Sequence, residues 1–190
     1  MIGAAAISFV AFLLVLILVQ GKNIQPADVA FSQKVITYRK AGLTKMFLFF
    51  TKLGKAVPTL LICLLLVLIP QTRSTIALNV GINVAATTGL TFIIKRIFKR
   101  ERPRDNRLVE ETDHSFPSGH SSTAATLYIG IFLNALLFMN AAWWLVVPAV
   151  LLSFLVGFSR VYLGIHYFTD VLGGWSLGLT IAFMVPLLLN

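Results

Sequence analysis

Cysteine is nearly missing from this sequence: Cys63 stands alone among 190 residues. A single thiol excludes an internal disulfide and any cysteine-based metal cluster. Acidic side chains are scarce too, with 7 Asp+Glu against 16 Lys+Arg and a formal charge of +9. The chain also lacks a polar stretch long enough for a separate aqueous domain. That absence removes the soluble nucleic-acid modules that a strongly basic chain otherwise suggests. What fills the sequence is apolar: 57% of residues are hydrophobic and the mean hydropathy is +0.86. A soluble fold cannot bury so much apolar surface, so the composition predicts a polytopic membrane protein. The cations then form a charged mouth for anionic headgroups rather than for nucleic acid.

Hydropathy divides the chain into six spans. Ile2–Gln20 is apolar apart from Ser8 and Gln20, and at about 1.5 Å per residue it crosses a bilayer core. It has neither the basic flank nor the small-x-small end of a cleaved signal peptide, so it is expected to be the first span. Residues 21–55 are polar and basic. Pro26 and Asp28 read as a helix start and Gly42 as a stop. Between them Phe31, Val35 and Tyr38 recur at helical spacing beside Lys34, Arg39 and Lys40, which predicts an amphipathic helix lying on the bilayer surface. The second span covers 57–69, extended backwards through 46–50, and the third covers 74–94. In the third, Asn79, Asn83, Thr87 and Thr91 follow at four-residue steps. Polar groups in lipid must find partners, so this face is expected inside the bundle.

A charged loop over 95–120 leads to the fourth span, 121–139. The fifth is 141–158, with Trp143 and Trp144 at its interface. The sixth is 167–189, where Gly174 and Gly178 predict close helix packing. The expected fold is all-α: a six-helix transmembrane bundle with one interfacial amphipathic helix, in a single domain over 1–190. Six spans put both termini on one side. The opposite face then holds all seven acidic residues, all three histidines and every one of the 16 Lys+Arg except Arg73.

Three stretches on that face carry chemistry. The first is Lys95-x6-Arg102-Pro103, whose cations taken alone suit interface anchoring. The second, Phe116-Pro117-Ser118-Gly119-His120, ends at a helix start. Free backbone amides at the positive end of a helix suit a phosphate, although Pro-Ser-Gly alone is an ordinary turn. The third runs over 159–170 and holds Arg160, His166 and Asp170. Arg160 is a forked cation fit for phosphate or carboxylate. If a helix begins here, His166 and Asp170 share one face. The carboxylate then fixes the imidazole tautomer and leaves the other nitrogen as nucleophile or base. His166 is expected to face the surface. His114, with Glu110, Glu111 and Asp113, reads as part of a solvated loop.

In order and on one face, Lys-x6-Arg-Pro, Pro-Ser-Gly-His and Ser-Arg-x5-His-x3-Asp resemble the type 2 phosphatidic acid phosphatase superfamily. The six-helix length is similar to its small bacterial members, the phosphatidylglycerophosphatase B and undecaprenyl-diphosphate phosphatase types. The motifs cover 95–170, and no core position departs from the pattern. The resemblance implies that Lys95, Arg102 and Arg160 hold the phosphate oxygens, with Ser118 and the Gly119 amide completing the cradle. It implies that His166 attacks phosphorus, Asp170 orients it, and His120 protonates the leaving group and then activates water. It implies no metal or other cofactor, a lipid phosphate as partner, and a site open to the extracytoplasmic side. The positive-inside rule points the other way for so cationic a face. Two further readings fit parts of the pattern. A metalloenzyme using His120, His166 and Asp170 leaves the Lys/Arg set unexplained. A non-enzymatic anionic-lipid transporter or anion channel uses the basic vestibule and the polar third span.

Overall fold

The computed structural model describes residues 1–189, and among them the regular structure is entirely helical. In chain order the helices are α1 (Ile2–Gln20), α2 (Gln25–Thr37), α3 (Ala41–Leu53), α4 (Ala56–Leu68), α5 (Ile76–Phe98), α6 (Gly119–Ala124), α7 (Gly130–Met139), α8 (Val146–Tyr162) and α9 (Phe168–Leu188). A π-helical turn, Ala125–Ile129, joins α6 to α7, and a short 3-10 turn, Trp143–Leu145, leads into α8. Among the described residues five segments are long and apolar enough to cross a membrane: Ile2–Gln20, Ile76–Phe98, Gly119–Met139, Trp143–Tyr162 and Phe168–Leu188. The pair α3 and α4 passes the same test together but is bent by 54°, and makes the sixth span when counted as one.

The centre of the bundle is α9, which packs against α1, α5, α6 and the π-helical turn. Its Gly174 and Gly178 perform the expected packing. A Cβ on Gly174 would lie 2.6 Å from the Ser118 carbonyl oxygen, and one on Gly178 would collide with the Ser122 carbonyl. Two backbones therefore touch where α9 crosses the first turns of the 119–139 span, and that contact fixes the depth of Gly119 and His120. Thr126, in the π-helical turn, donates to the Gly178 carbonyl at 2.9 Å.

The polar face of α5 points inward as its spacing predicts. Asn79 donates to Asn134 at 2.7 Å, Thr87 pairs with Thr126 at 2.8 Å, and Thr91 pairs with Ser122 at 3.1 Å. These bonds satisfy groups that lipid cannot. Large apolar side chains such as Ile7, Leu14, Leu60, Leu64 and Ile93 cover the outside, where a hydrocarbon solvent favours them.

Several boundaries differ from expectation. Because α5 continues to Phe98, Lys95 sits in its last turn rather than in a loop, and the loop shrinks to 99–118. Likewise α8 runs on to Tyr162 and carries Arg160 in its last turn. Both helices extend past the apolar pattern because their terminal cations find partners in the protein. The α2 helix is present, but its buried residues are Asp28, Ser32 and Val35, and Tyr38 is exposed. It is docked on α8 and α9, with Phe31 against Phe168 at 4.8 Å between ring centroids. The reason is Asp28, whose charge is buried against partners described below.

Candidate active site

Lys95 from α5, Arg102 from the following loop, Gly119 and His120 from the first turn of α6, Arg160 from α8 and His166 from the α8–α9 link all line one cavity of about 220 Å³. A larger cavity of about 710 Å³ lies beyond Arg102, between α2 and the loop after α5, and reaches neither His120 nor His166.

Contrary to the surface position expected for it, His166 is 1% exposed. The chain reverses at Gly164, whose φ of 74° is left-handed. A Cβ there would also meet the Asn106 carbonyl at 2.8 Å. This turn, held by Leu108 donating to the Leu163 carbonyl at 3.0 Å, lets the 99–118 loop close over the link. Helix α9 begins only at Phe168, so His166 precedes it, and the shared helical face does not form. Asp170 instead occupies the third position of α9 and accepts from the Tyr167 amide at 2.9 Å, one half of a capping box.

The proton on His166 can be located from its neighbours. Arg102 Nη1 lies 2.9 Å from Nε2, and a guanidinium only donates. Nε2 therefore carries the lone pair, and Nδ1 carries the hydrogen. Nδ1 faces Asp170 Oδ2 at 3.4 Å and Ser115 Oγ at 3.3 Å. The first contact is long, as such bonds often are before a ligand tightens them. Burial, then the cations Arg102, Arg160 and Lys95, hold the His166 pKa well below its ordinary 6.5, so the imidazole is neutral.

Asp170 is fully buried and fixed from several directions. Ser115 donates to Oδ2 at 2.5 Å, and Arg100 donates to Oδ1 at 2.7 Å. Arg100 also donates to Thr169 Oγ1 at 2.7 Å, Gln25 at 2.8 Å and Asp28 at 2.7 Å, with its guanidinium 4.6 Å from the Tyr167 ring centroid. Asp28 accepts in addition from the Thr169 amide at 3.2 Å and from the Thr169 hydroxyl. Burial alone would lower the Arg100 pKa, but Asp170 and Asp28 more than offset it and raise the value. The charges thus alternate from Asp170, beside neutral His166, through Arg100 to Asp28, which explains why α2 is docked.

Three sequence expectations change. Ser118 does not line the cavity. Its hydroxyl accepts from the Ser121 amide as the α6 cap, and its amide donates to the Asp170 carbonyl at 2.9 Å. Glu111 and Asp113 are not simply solvated. Asp113 pairs with Lys95 at 2.6 Å and with Arg102, and Glu111 pairs with Arg160 at 2.6 Å. Burial would raise the Asp113 pKa, but Lys95 and Arg102 pull it down to about 2. His114 joins only through its carbonyl, which accepts from Lys95 at 2.6 Å. Arg100, Ser115, Thr169 and Asp28 carry no motif that could have flagged them, because each acts through a partner distant in sequence. His120 Nε2 is buried without a hydrogen-bond partner and lines the cavity. Among the described residues no three His, Cys, Asp or Glu side chains are grouped to hold a metal ion.

The chain is similar to known proteins along most of its length. The PAP2 superfamily model matches residues 76–190. The chain is 34% identical to phosphatidylglycerophosphatase B of Bacillus subtilis over 185 residues, covering 93% of this chain and 90% of that one. It is 29% identical to an undecaprenyl-diphosphatase of Sulfolobus acidocaldarius, over 80% of this chain and 73% of that one. Its fold superposes on the crystal structure of a transmembrane PAP2-type phosphatidylglycerolphosphate phosphatase from Bacillus subtilis with a TM-score of 0.88, at 30% identity, covering 97% of this chain and 95% of that one. With the family model spanning most of the chain and a relative matched along nearly its whole length, this multi-pass membrane protein belongs to the PAP2 superfamily.

Proposed function

We propose that this membrane phosphatase hydrolyses phosphate monoester or diphosphate headgroups of lipids through a phosphohistidine. The observation that carries the reading is the convergence of three cations and two histidines on one small cavity at the membrane face. Lys95, Arg102 and Arg160 neutralise the phosphoryl oxygens without a metal, and the Gly119 amide supports them at the helix start. Nε2 of neutral His166 attacks phosphorus, and Nδ1–H holds to Asp170, which stabilises the imidazolium that forms. The bond from phosphorus to the leaving oxygen breaks, and His120 gives that oxygen its proton. Neutral His120 then takes a proton from water as the water attacks phosphorus. The P–N bond breaks, inorganic phosphate leaves, and His166 recovers its lone pair.

The substrate class follows from the cavity wall. Thr88 and Phe92 of α5 belong to it and are exposed on a membrane-spanning helix. A lipid can therefore keep its tail in the bilayer while its headgroup reaches the cations. The relatives' names point to phosphatidylglycerophosphate and undecaprenyl diphosphate, and phosphatidate has the same terminal phosphate. Phosphate release from these three lipids by purified protein in detergent tests the reading. Wild-type activity should survive EDTA and yield to vanadate, which imitates the phosphoryl group in flight. His166→Ala should retain less than about 0.1% of the rate. A variant keeping several percent would remove His166 as nucleophile.

The site is proposed to open extracytoplasmically. The charge argument against this weakens because Arg39, Arg100, Arg102 and Arg160 bond to protein groups and report no orientation. Tyr38, which closes the C-terminal end of α2, is exposed. In a Cys63→Ala background, Tyr38→Cys should react with an impermeant thiol reagent on intact cells. Labelling only after lysis would reverse the orientation.

A further inference from the structure

Every cation assigned to the phosphate already holds a carboxylate. Lys95 and Arg102 grip Asp113, and Arg160 grips Glu111 at 2.6 Å. Both acids line the cavity that contains His120 and His166. With Asp113 in place, Arg102 also covers His166 Nε2, the lone pair that attacks phosphorus. The two sides of these pairs are anchored unequally. The side chains of Lys95, Arg102 and Arg160 are 10%, 4% and 1% exposed, whereas those of Asp113 and Glu111 are 54% and 26% exposed. The cations are built into helices and the buried loop base. Arg160 also donates to Thr51 at 2.7 Å, and Arg102 to the Ile165 carbonyl at 3.0 Å. The acids ride on a loop at the water surface and bond there chiefly to the groups that substrate needs.

We infer that Asp113 and Glu111 are an internal competitor for the phosphate cradle, which closes the site to water-soluble phosphates and yields to lipid-anchored ones. The inference rests on the phosphatase reading. A carboxylate offers two oxygens and one negative charge, and a phosphate monoester offers three oxygens and up to two charges. An incoming phosphate can thus replace both acids, but only by overcoming an opponent tethered to the same chain. A lipid phosphate held in the bilayer beside Thr88 and Phe92 arrives at high effective concentration. Free phosphate in water has no such advantage. The same competition expels inorganic phosphate after the P–N bond breaks. Asp113 and Glu111 are therefore specificity-determining rather than catalytic.

The test uses the full chain with both acids neutralised at constant shape, Asp113→Asn with Glu111→Gln. Two quantities are measured in the same mixed micelles: the inhibition constants of vanadate and inorganic phosphate, and the rate on dilute p-nitrophenyl phosphate relative to the rate at saturating lipid phosphate. A cradle freed from a competitor that occupies it about nine times in ten binds anions about tenfold more tightly. Both constants should fall by that factor, and the rate on dilute p-nitrophenyl phosphate relative to that at saturating lipid phosphate should rise in step. A merely structural role predicts the opposite sign, since a disturbed loop loosens the cradle. Inhibition constants within twofold of wild type, or weaker, in a variant that still turns over would overturn the inference alone. Wild-type protein releasing no phosphate from any lipid would sink the phosphatase reading and this inference with it. If the double variant does not fold, Asp113→Asn alone frees Lys95 and Arg102 and should still tighten vanadate by about threefold or more. No tightening there also overturns it.

Discussion

The first turn of α9 and the loop before α6 each bring a carboxylate near His166, and they do so in opposite ways. Asp170 is fully buried and held by Ser115, the Tyr167 amide and Arg100. Arg100 is in turn neutralised by Asp28, itself buried on a separate helix. Asp113 is half exposed and bonds to Lys95 and Arg102 alone. A charge fixed by buried donors keeps its place through a reaction cycle. A charge held only by cations that a ligand also wants can be displaced. The difference teaches that proximity to the histidines does not decide a carboxylate's role; the origin of its other bonds does.

The largest effect should come from removing the fixed charge. Asp170→Asn is expected to lower kcat by about 10³-fold or more, because the amide can neither stabilise the His166 imidazolium nor guarantee its tautomer. Phosphate release in detergent measures it, and a loss under tenfold would mean that the long Nδ1 contact has no part in the reaction.

Next comes the support behind it. Arg100→Gln leaves Asp170 and Asp28 as buried, uncompensated charges, a change worth about 3–5 kcal/mol of stability, with an expected drop of about tenfold or more in kcat. Adding Asp28→Asn to Arg100→Gln should recover part of the stability, since one orphaned charge disappears. Thermal unfolding across the double-mutant cycle measures the coupling. Simple additivity would show that the ion pair does not link α2 to α9.

The pH dependence is smaller and has a defined sign. His166 is held neutral by burial first, then by Arg102, Arg160 and Lys95, against the opposing charge of Asp113. Neighbouring cations disfavour a protonated imidazole, so the nucleophile should remain available as pH falls through 6.5 and be lost only well below it. The unfolded chain takes up that proton near the ordinary value, so stability should decline as pH drops below about 6.5. Arg102→Gln should move the His166 titration upward, as followed by NMR of labelled histidine. A downward move would contradict the electrostatic account. The smallest effect belongs to Glu110, exposed and adjacent to Glu111. Glu110→Gln should change stability by less than about 0.5 kcal/mol and leave the vanadate constant as it is. A tightening like that expected for Asp113 would show that the loop acts through bulk charge, not through placed carboxylates.

By itself the sequence determined the membrane class, the five unbroken spans, the inward polar face of α5 and the residues of the three motifs. Each of these is local: a run of apolar residues about as long as a bilayer is thick, a four-residue step, or a fixed spacing within a dozen positions. The same local reading had Lys95 in a loop and His166 at the surface, because apolar pattern ends where charge begins, whereas a helix ends where its partners do. Tertiary structure alone decided that Ser118 caps α6 rather than lining the cavity. It also decided that Arg100, Ser115, Thr169 and Asp28 brace Asp170, the carboxylate beside His166, and that Asp113 and Glu111 pair with the cations of the cavity. Those roles depend on pairs far apart in the chain, such as Asp28 with Thr169 and Arg160 with Glu111. A buried charge selects its partner by distance and desolvation in the folded bundle, and neither quantity is written in the spacing of residues along the chain.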